Sequence, residues 1–257
     1  MTETIRVDLH CHSSASDGDH SPSYVAHSLA ATGVEWASLT DHNTVEGQDE
    51  FRIVMQERGI GCVVGVEIDG RSPIGPFHIL GYGVDTSDEA LLAAMATVRQ
   101  PWSSSMRRLL ARLRALAGRG PQLPRPCVPE GEDASPDLPP STQEVICLIH
   151  RAGGMAFLAH PLAGLGSVAR LDEVLEWMQP QGLDGIEVFH KQYSAETQAA
   201  LLELAERRGL LSIAGSDFHG LHHSDGDRPG VDMPLIHWSR FVDAIGIGEQ
   251  EDRSSQY

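Results

Sequence analysis

Histidine and carboxylate side chains recur in this sequence where short apolar runs end. Of the 13 histidines, six lie at or beside such ends, and three carboxylates accompany them. The nine residues are His10, His12, Asp17, His42, Glu67, His78, His160, Asp217 and His219. Imidazole and carboxylate together suit Zn, Mn or Fe. Because nine donors exceed what one ion needs, the sequence predicts a centre of two or three divalent metal ions.

The competing interpretation gives these side chains purely structural roles. A single histidine near a strand end is usually a polar group that a neighbour satisfies, and the pair His10 and His12 alone is only moderately specific. In a strand, however, both rings of this pair point to the same side. Nine such side chains gathered without a cation would form a costly buried charge cluster. The whole set therefore favours metal binding.

The elements that must position these residues alternate between strands and helices. The patterns predict strands at 5–10, 36–41, 62–67, 77–82, 155–160, 185–189 and 211–216, and helices at 23–31, 45–58, 142–152, 171–178 and 195–208. Strands separated by helices favour parallel βαβ units. In a parallel barrel the carboxyl ends of the strands form one face, which carries the active site. We therefore predict an α/β fold, with seven strands fitting a distorted barrel better than a flat sheet.

One segment interrupts this alternation. Residues 88–117 predict an arginine-rich helix or helix pair broken at Pro101, and residues 118–141 hold seven of the 15 prolines. We interpret 88–141 as an insertion over the C-terminal face of the barrel, with a disordered surface excursion as the alternative. The chain is otherwise expected to form one domain over residues 1–247, followed by a flexible tail at 248–257.

Composition narrows the function further. A net charge of -17 disfavours stable binding along a nucleic-acid backbone, although metal charge still permits a small anionic substrate. No apolar run is long enough for a membrane span, and no leader pattern is present, so the cytoplasm is the expected location. Cys11, Cys62, Cys127 and Cys147 are expected to be reduced thiols. The oligomeric state stays open.

The ordered motifs resemble the PHP (polymerase and histidinol phosphatase) family. They are Asp8-Leu9-His10-Cys11-His12, Ser16-Asp17-Gly18, Leu39-Thr40-Asp41-His42-Asn43-Thr44, Gly65-Val66-Glu67-Ile68, His78-Ile79-Leu80-Gly81, Ala159-His160-Pro161 and Gly215-Ser216-Asp217-Phe218-His219-Gly220. The resemblance implies a distorted (β/α)7 barrel with a trinuclear metal centre. It assigns the ligands to three ions: His10, His12, Glu67 and Asp217 to the first, the bridging Glu67 with His78 and His160 to the second, and Asp17, His42 and His219 to the third.

This resemblance implies a metal-dependent phosphoesterase. Paired ions suit in-line displacement at phosphorus and lower the pKa of a bridging water from 15.7 toward ~7. We expect the resulting hydroxide to release inorganic phosphate from a small phosphomonoester, a nucleotide or a sugar phosphate. The expected catalytic residues are His10, Glu67, Asp217 and His219, and either Asp41 or His219 could assist proton transfer.

Substrate contacts are expected from outside the ligand set. His190 ends a predicted strand and either touches substrate or supports the metal ligands. Arg228 is a candidate phosphate clamp, with a solvated loop arginine as the alternative. Arg99, Arg107 and Arg108 in the insertion either reach an anionic substrate or form an exposed basic helix face.

Within the family, the resemblance is nearest to small stand-alone phosphatases that act on nucleotides. The insertion departs from theirs because it is short and lacks an Arg-Gly-His-like segment, which leaves the organic part of the substrate open. The alternative activities are hydrolysis of a cyclic phosphate or phosphodiester, a histidinol-phosphate-type phosphatase, and an amidohydrolase-like hydrolase of C–N bonds. A non-enzymatic metal-binding module is the remaining alternative.

Overall fold

The apolar runs of the sequence form nine strands in the part of the chain described by the computed structural model, residues 3–99, 139–220 and 228–247. The strands are β1 Thr4–Cys11, β2 Trp36–Leu39, β3 Gly61–Cys62, β4 Gly65–Ser72, β5 Gly75–Tyr82, β6 Met155–Leu158, β7 Gly185–His190, β8 Leu211–Gly215 and β9 Val231–Pro234. The α-helices in these ranges are α1 Pro22–Ala31, α2 Gln48–Glu57, α3 Glu89–Arg99, α4 Thr142–Arg151, α5 Val168–Met178, α6 Ala195–Arg208 and α7 Leu235–Ile245.

These strands make two sheets. The first has the order β3-β2-β1-β9, and the second has the order β4-β5-β6-β7-β8. In the first sheet β1, β2 and β3 are parallel and β9 is antiparallel. In the second sheet β6, β7 and β8 are parallel. The predicted α/β class is confirmed, whereas closure into a (β/α)7 barrel stays a prediction.

The two sheets are joined at the strand ends that carry the candidate ligands. Isolated bridges link Cys11 to Phe218 and His42 to Glu67. The amide of Asp217 donates to the carbonyl of His10 at 2.9 Å. The functional ends of β1 and β8, and of β2 and β4, therefore lie side by side.

The parallel arrangement expected from the βαβ pattern does not hold for β5, which runs antiparallel to both β4 and β6. Only two residues separate β4 from β5, and such a loop is too short for the crossover that a parallel pair needs. The reversal has a consequence for the site. It places the beginning of β5, and with it His78, beside the carboxyl ends of β4 and β6.

Local sequence signals explain several element boundaries. Ser21 caps α1 by accepting from the amide of Tyr24, with Pro22 in the first turn. Ser141 and Glu144 form the reciprocal capping box of α4. The predicted strand at 62–67 is divided between β3 and β4, and the sequence patterns missed β9 and α7.

The interrupted segment is described only at its edges. Helix α3 confirms the predicted helix start, while residues 100–138 of the insertion and residues 248–257 of the tail lie outside the described residues. The boundaries of the insertion and tail thus stay predictions. Cys11, Cys62 and Cys147 are free thiols, and Cys127 lies outside the described residues. No helix in the described ranges is long and apolar enough to cross a membrane.

Candidate metal centre

The end of β1 places two histidines against one buried glutamate. The Nε2 atoms of His10 and His12 lie 3.3 Å and 3.2 Å from Oε2 of Glu67 on β4. Oδ1 of Asp217, just after β8, lies 3.3 Å and 3.2 Å from the same two nitrogens. The side chains of His10, His12 and Glu67 are 0% exposed. We call these three residues the floor of the site.

The remaining six candidate ligands surround the floor and are partly open to solvent. Their side chains range from 14% exposed at His219 to 55% at Asp17. We call this set the rim, and it comprises Asp17, His42, His78, His160, Asp217 and His219. All nine residues predicted from the sequence are thus brought together.

Glu67 is the common neighbour of floor and rim. Besides its contacts to the floor, its Oε2 lies 3.2 Å from Nε2 of His42. Its Oε1 lies 3.0 Å from Nδ1 of His78 and 3.3 Å from Nε2 of His160. The two oxygens of this carboxylate therefore face different groups of imidazoles.

A further group forms around Asp17 on the loop after β1. Asp17 Oδ1 lies 3.4 Å from Nε2 of His219, and its Oδ2 lies 3.9 Å from Nε2 of His42. Nδ1 of His12 is 3.7 Å from Asp17 Oδ1. His12 therefore contacts Glu67 and Asp217 through Nε2 and Asp17 through Nδ1.

The donor atoms fit divalent cations. Four groups offer atoms that all lie within 4.8 Å of one another. They are His12, Asp17, His42 and His219; His10, His12, Glu67 and Asp217; Glu67, His78 and His160; and His42, Asp69 and His78. Within the described residues, His10 Nε2, both nitrogens of His12 and Glu67 Oε2 are buried without a hydrogen bond. Each unsatisfied atom costs about 1–3 kcal/mol, and coordination of a cation would satisfy them together.

Backbone strain is concentrated in the same place. Among the described residues, the non-glycine residues with positive φ are Asn43 at 53°, His160 at 27° and Asp217 at 54°. Each such conformation costs on the order of 1–3 kcal/mol and is typical of functional sites. Two of these residues are candidate ligands, and the third directly follows His42.

The electrostatics of the cluster pair ionised carboxylates with charged imidazoles. Burial alone would raise the pKa of Glu67, but His42, His10 and His78 hold this pKa well below its ordinary value. Burial opposes charge on His42 as well, yet Glu67 and Asp69 raise its pKa to about 10. Protons and metal cations therefore compete for the same nitrogen atoms.

The sequence analysis missed Glu187, which lies fully buried behind the floor. Its Oε1 lies 3.0 Å from Nδ1 of His10, and its Oε2 accepts from the backbone amide of His160 at 2.6 Å. Gly215 leaves space for the Glu187 carboxylate, because a Cβ atom at position 215 would lie only 2.5 Å from Glu187 Oε1. The available signal was a single carboxylate within the apolar run of β7.

Asp69 was missed as well. Its Oδ1 lies 3.2 Å from Nδ1 of His42 and 3.6 Å from Nε2 of His78. Although burial raises its pKa, the hydrogen bond from His42 and the charges of His42 and His78 lower the pKa overall. Its signal was the alternation Glu67-Ile68-Asp69, which puts both carboxylates on one face of β4.

Asp41, predicted as one of two candidates for proton transfer, is bonded to the loop after β1. Its carboxylate accepts from the amide and hydroxyl of Ser13, both at 2.7 Å, and from the hydroxyl of Ser16 at 2.6 Å. These bonds fix the loop that carries Asp17. Asp41 is also 1% exposed. Its observed contacts are therefore those of a buried side chain that holds this loop in place.

Of the predicted substrate contacts, His190 lies at the end of β7 and is 2% exposed. Its Nδ1 accepts from the amide of Gln192 at 3.2 Å, and its ring centroid lies 5.1 Å from that of Tyr193. Burial opposes ionisation of Glu187, but His10 and, to a smaller extent, His190 lower the pKa of this carboxyl. His190 therefore lies close to the residue that supports the floor.

The structure describes only some of the arginines that were predicted to contact substrate. Arg228 is exposed, and its carbonyl accepts from Nζ of Lys191, the single lysine of the chain. Arg99 is the last residue of α3. Arg107 and Arg108 lie outside the described residues. Substrate binding by any of these arginines stays a prediction.

Comparison with known proteins agrees with this geometry. Residues 8–115 match the PHP domain family. The chain is 29% identical to a 3',5'-nucleoside bisphosphate phosphatase of Chromobacterium violaceum, over 83% of this chain and 87% of that protein. It is 29% identical to a phosphoribosyl 1,2-cyclic phosphate 1,2-diphosphodiesterase of Eggerthella lenta, over 83% and 94%. It is 28% identical to a 5'-3' exoribonuclease of Haemophilus influenzae, over 84% and 90%.

Solved structures show the same fold. An amidohydrolase from Chromobacterium violaceum with bound sulfate and no metal matches with a TM-score of 0.68 at 25% identity, covering 93% of this chain and 96% of that one. A structure from Bifidobacterium adolescentis, described as that of a metal-dependent phosphoesterase, matches with a TM-score of 0.61 at 25% identity. The match covers 88% of this chain and 90% of that one. Residues 8–115 of the chain thus resemble the PHP domain, and relatives and solved structures that match most of the chain include phosphoesterases.

Proposed function

We propose that this protein is a metal-dependent phosphoesterase that releases inorganic phosphate from a small phosphomonoester. The observation that carries the proposal is the cluster centred on Glu67, where buried imidazole and carboxylate atoms lack hydrogen bonds within the described residues. The floor and rim would hold two or three divalent ions of Mn, Zn or Fe. When bound, such ions lower the pKa of water and neutralise phosphoryl oxygens.

The floor, the rim and the neighbouring residues would have separate roles in the reaction. The floor residues, closed to solvent, would fix the donor geometry, with Glu187 orienting His10 through Nδ1 at 3.0 Å. The rim would admit the phosphoryl group because its side chains are partly open. Of the two candidates for proton transfer, His219 lies on this open side, and its Nδ1 is fixed 2.9 Å from the carbonyl of Asp217.

The proposed substrate class is a small phosphorylated metabolite, either a nucleotide or a sugar phosphate. The bisphosphate phosphatase among the relatives supports this class. A phosphodiester or cyclic phosphate is the second candidate, favoured by the diphosphodiesterase and exoribonuclease relatives. A net charge of -17 favours small anions over long nucleic acids, although a short RNA end remains compatible with an open rim.

The decisive experiment is a phosphate-release panel with Mn²⁺ and with chelator. It should include nucleoside monophosphates, 3',5'-bisphosphates, sugar phosphates, cyclic phosphates and a short RNA. We expect chelator-sensitive release from at least one monoester. Release from a diester or from RNA alone would show that the substrate is a phosphodiester and not a phosphomonoester. The absence of metal-dependent release from every compound would contradict the phosphoesterase function.

A matched variant controls the panel. Asp184→Asn changes a carboxylate that also contacts an imidazole, His150 Nε2 at 2.8 Å, but outside the cluster. It should release phosphate as the unmodified protein does. Glu67→Gln makes the same chemical change at the centre of the cluster and should release none.

A further inference from the structure

Asp69 is a carboxylate outside the nine candidate ligands predicted from the sequence. Glu67 and Asp69 lie two residues apart on β4 and therefore share one face of the strand. In the antiparallel pairing of β4 with β5, Asp69 lies directly opposite His78. Side chains paired in this way lie on the same face of the sheet. Strand register alone thus puts Asp69 beside both Glu67 and His78.

The end of β2 brings a second histidine to the same carboxylate. The amide of Asn43 donates to the carbonyl of Glu67 at 2.7 Å, and the amide of Asp69 donates to Oδ1 of Asn43 at 3.1 Å. Asn43 has φ 53°, a conformation that asparagine tolerates better than most residues. These two bonds fasten the chain after His42 to β4, with Nδ1 of His42 3.2 Å from Oδ1 of Asp69.

Each of the two imidazoles contacts both carboxylates, with one ring nitrogen facing each. His42 presents Nε2 to Glu67 at 3.2 Å and Nδ1 to Asp69 at 3.2 Å. His78 presents Nδ1 to Glu67 at 3.0 Å and Nε2 to Asp69 at 3.6 Å. Both outer contacts reach the same oxygen, Oδ1 of Asp69. The contact to His78 exceeds hydrogen-bond length but lies within ion-pair range.

This arrangement differs from that of Glu187, whose carboxylate contacts the ring of His10. A carboxylate on the outer nitrogen of a ligating histidine fixes the orientation and tautomer of the ring. Here one carboxylate reaches two rings. His42 and His78 share one donor group with Asp69, and each also belongs to a second group, that of His42 with Asp17 and that of His78 with His160.

We propose that Asp69 is a shared positioning residue that orients His42 and His78 together and thereby couples metal binding at their two subsites. The proposal rests on the proposed metal-binding function. Loss of the carboxylate would release both rings, so two ions would be weakened by one substitution. The ion held by His10, His12 and Asp217 would keep its affinity, since Glu187 orients His10 independently.

The test is Mn²⁺ binding by equilibrium dialysis and elemental analysis, with Asp69→Ala, Asp69→Asn and the control Asp184→Asn. Asp69→Ala should weaken two binding steps together by about 10- to 100-fold and leave a further step unchanged. Asp69→Asn keeps an oxygen acceptor and should lose less. Circular dichroism checks that each variant is folded, and imidazole NMR of the chelated protein should show changes at His42 and His78 but not at His10.

The outcomes separate this inference from the function on which it rests. If only one step or none is weakened in Asp69→Ala, the shared role is overturned. If Asp69→Asn removes one ion outright and leaves the others unchanged, Asp69 is a ligand and the positioning role is again overturned. If the unmodified protein binds no Mn²⁺, both proposals fail; if it binds Mn²⁺ and releases phosphate while the Asp69 variants bind normally, only this inference fails.

Discussion

The floor and the rim use the same side-chain chemistry under opposite conditions of solvent access. Floor side chains are 0% exposed, whereas Asp17 on the rim is 55% exposed. A buried donor without a partner is expensive, while an exposed one can be satisfied by water. The difference indicates that floor residues affect both folding and metal binding, whereas the most exposed rim residues affect metal binding alone.

The largest effect is expected at the floor, from Glu67→Gln. The variant removes the charge that faces five imidazoles, and breaking a buried pair costs on the order of 3–5 kcal/mol. We expect phosphate release to fall by more than the roughly 100-fold typical of supporting residues, together with lost Mn²⁺ and a lower midpoint in urea. Normal metal content and turnover would show that the cluster does not depend on its central carboxylate.

The next effect is expected behind the floor, from Glu187→Gln. The amide can still accept from the backbone of His160, but it presents no charge to Nδ1 of His10. Mn²⁺ affinity should fall by about 10- to 100-fold, as measured by equilibrium dialysis. Asp184→Asn again provides the comparison, and equal affinities in the two variants would remove Glu187 from the site.

A smaller effect separates the rim from the floor. Asp17→Asn changes the most exposed candidate ligand, so in chelator the free energy of unfolding should fall by less than in Glu67→Gln. Mn²⁺ content should fall by up to one ion, because the contacts of Asp17 reach His42 and His219. Elemental analysis of the Mn²⁺-loaded protein and urea unfolding of the chelated protein check this. A loss of stability as large as that of Glu67→Gln would show that rim and floor residues do not differ in their effect on folding.

The sequence predicted the candidate ligands better than it predicted the sheet. Ligand positions are marked by residue type, so histidines at the ends of apolar runs were visible without knowing strand direction. The direction of β5 was not visible, because it depends on the two-residue loop after β4. His78 was therefore placed at the site by its chemistry, although the assumed strand direction was wrong.

Supporting residues were harder to find for the same reason. Glu187 lies within an apolar strand, and Asp69 acts through a cross-strand register with His78 and a loop contact with His42. Neither relation is encoded in local spacing. Both depend on which strands become neighbours, which is a property of the assembled sheets.

The smallest expected effect is a pH dependence that differs with and without metal. In chelator, the raised pKa of His42 contributes stability that is fully present below 6.5 and is lost as pH rises toward about 10. The lowered pKa values of Glu67 and Asp217 contribute stability that is present above pH 4.5 for Glu67 and above pH 3.8 for Asp217, and that is lost as pH falls further. Urea midpoints in chelator should therefore decline above pH 6.5. Mn²⁺ affinity should instead rise with pH, because binding displaces protons. His42→Gln should make both profiles shallower but not flat, because the raised pKa values of His10, His160 and His219 remain. His150→Gln, outside the cluster, should leave both profiles unchanged.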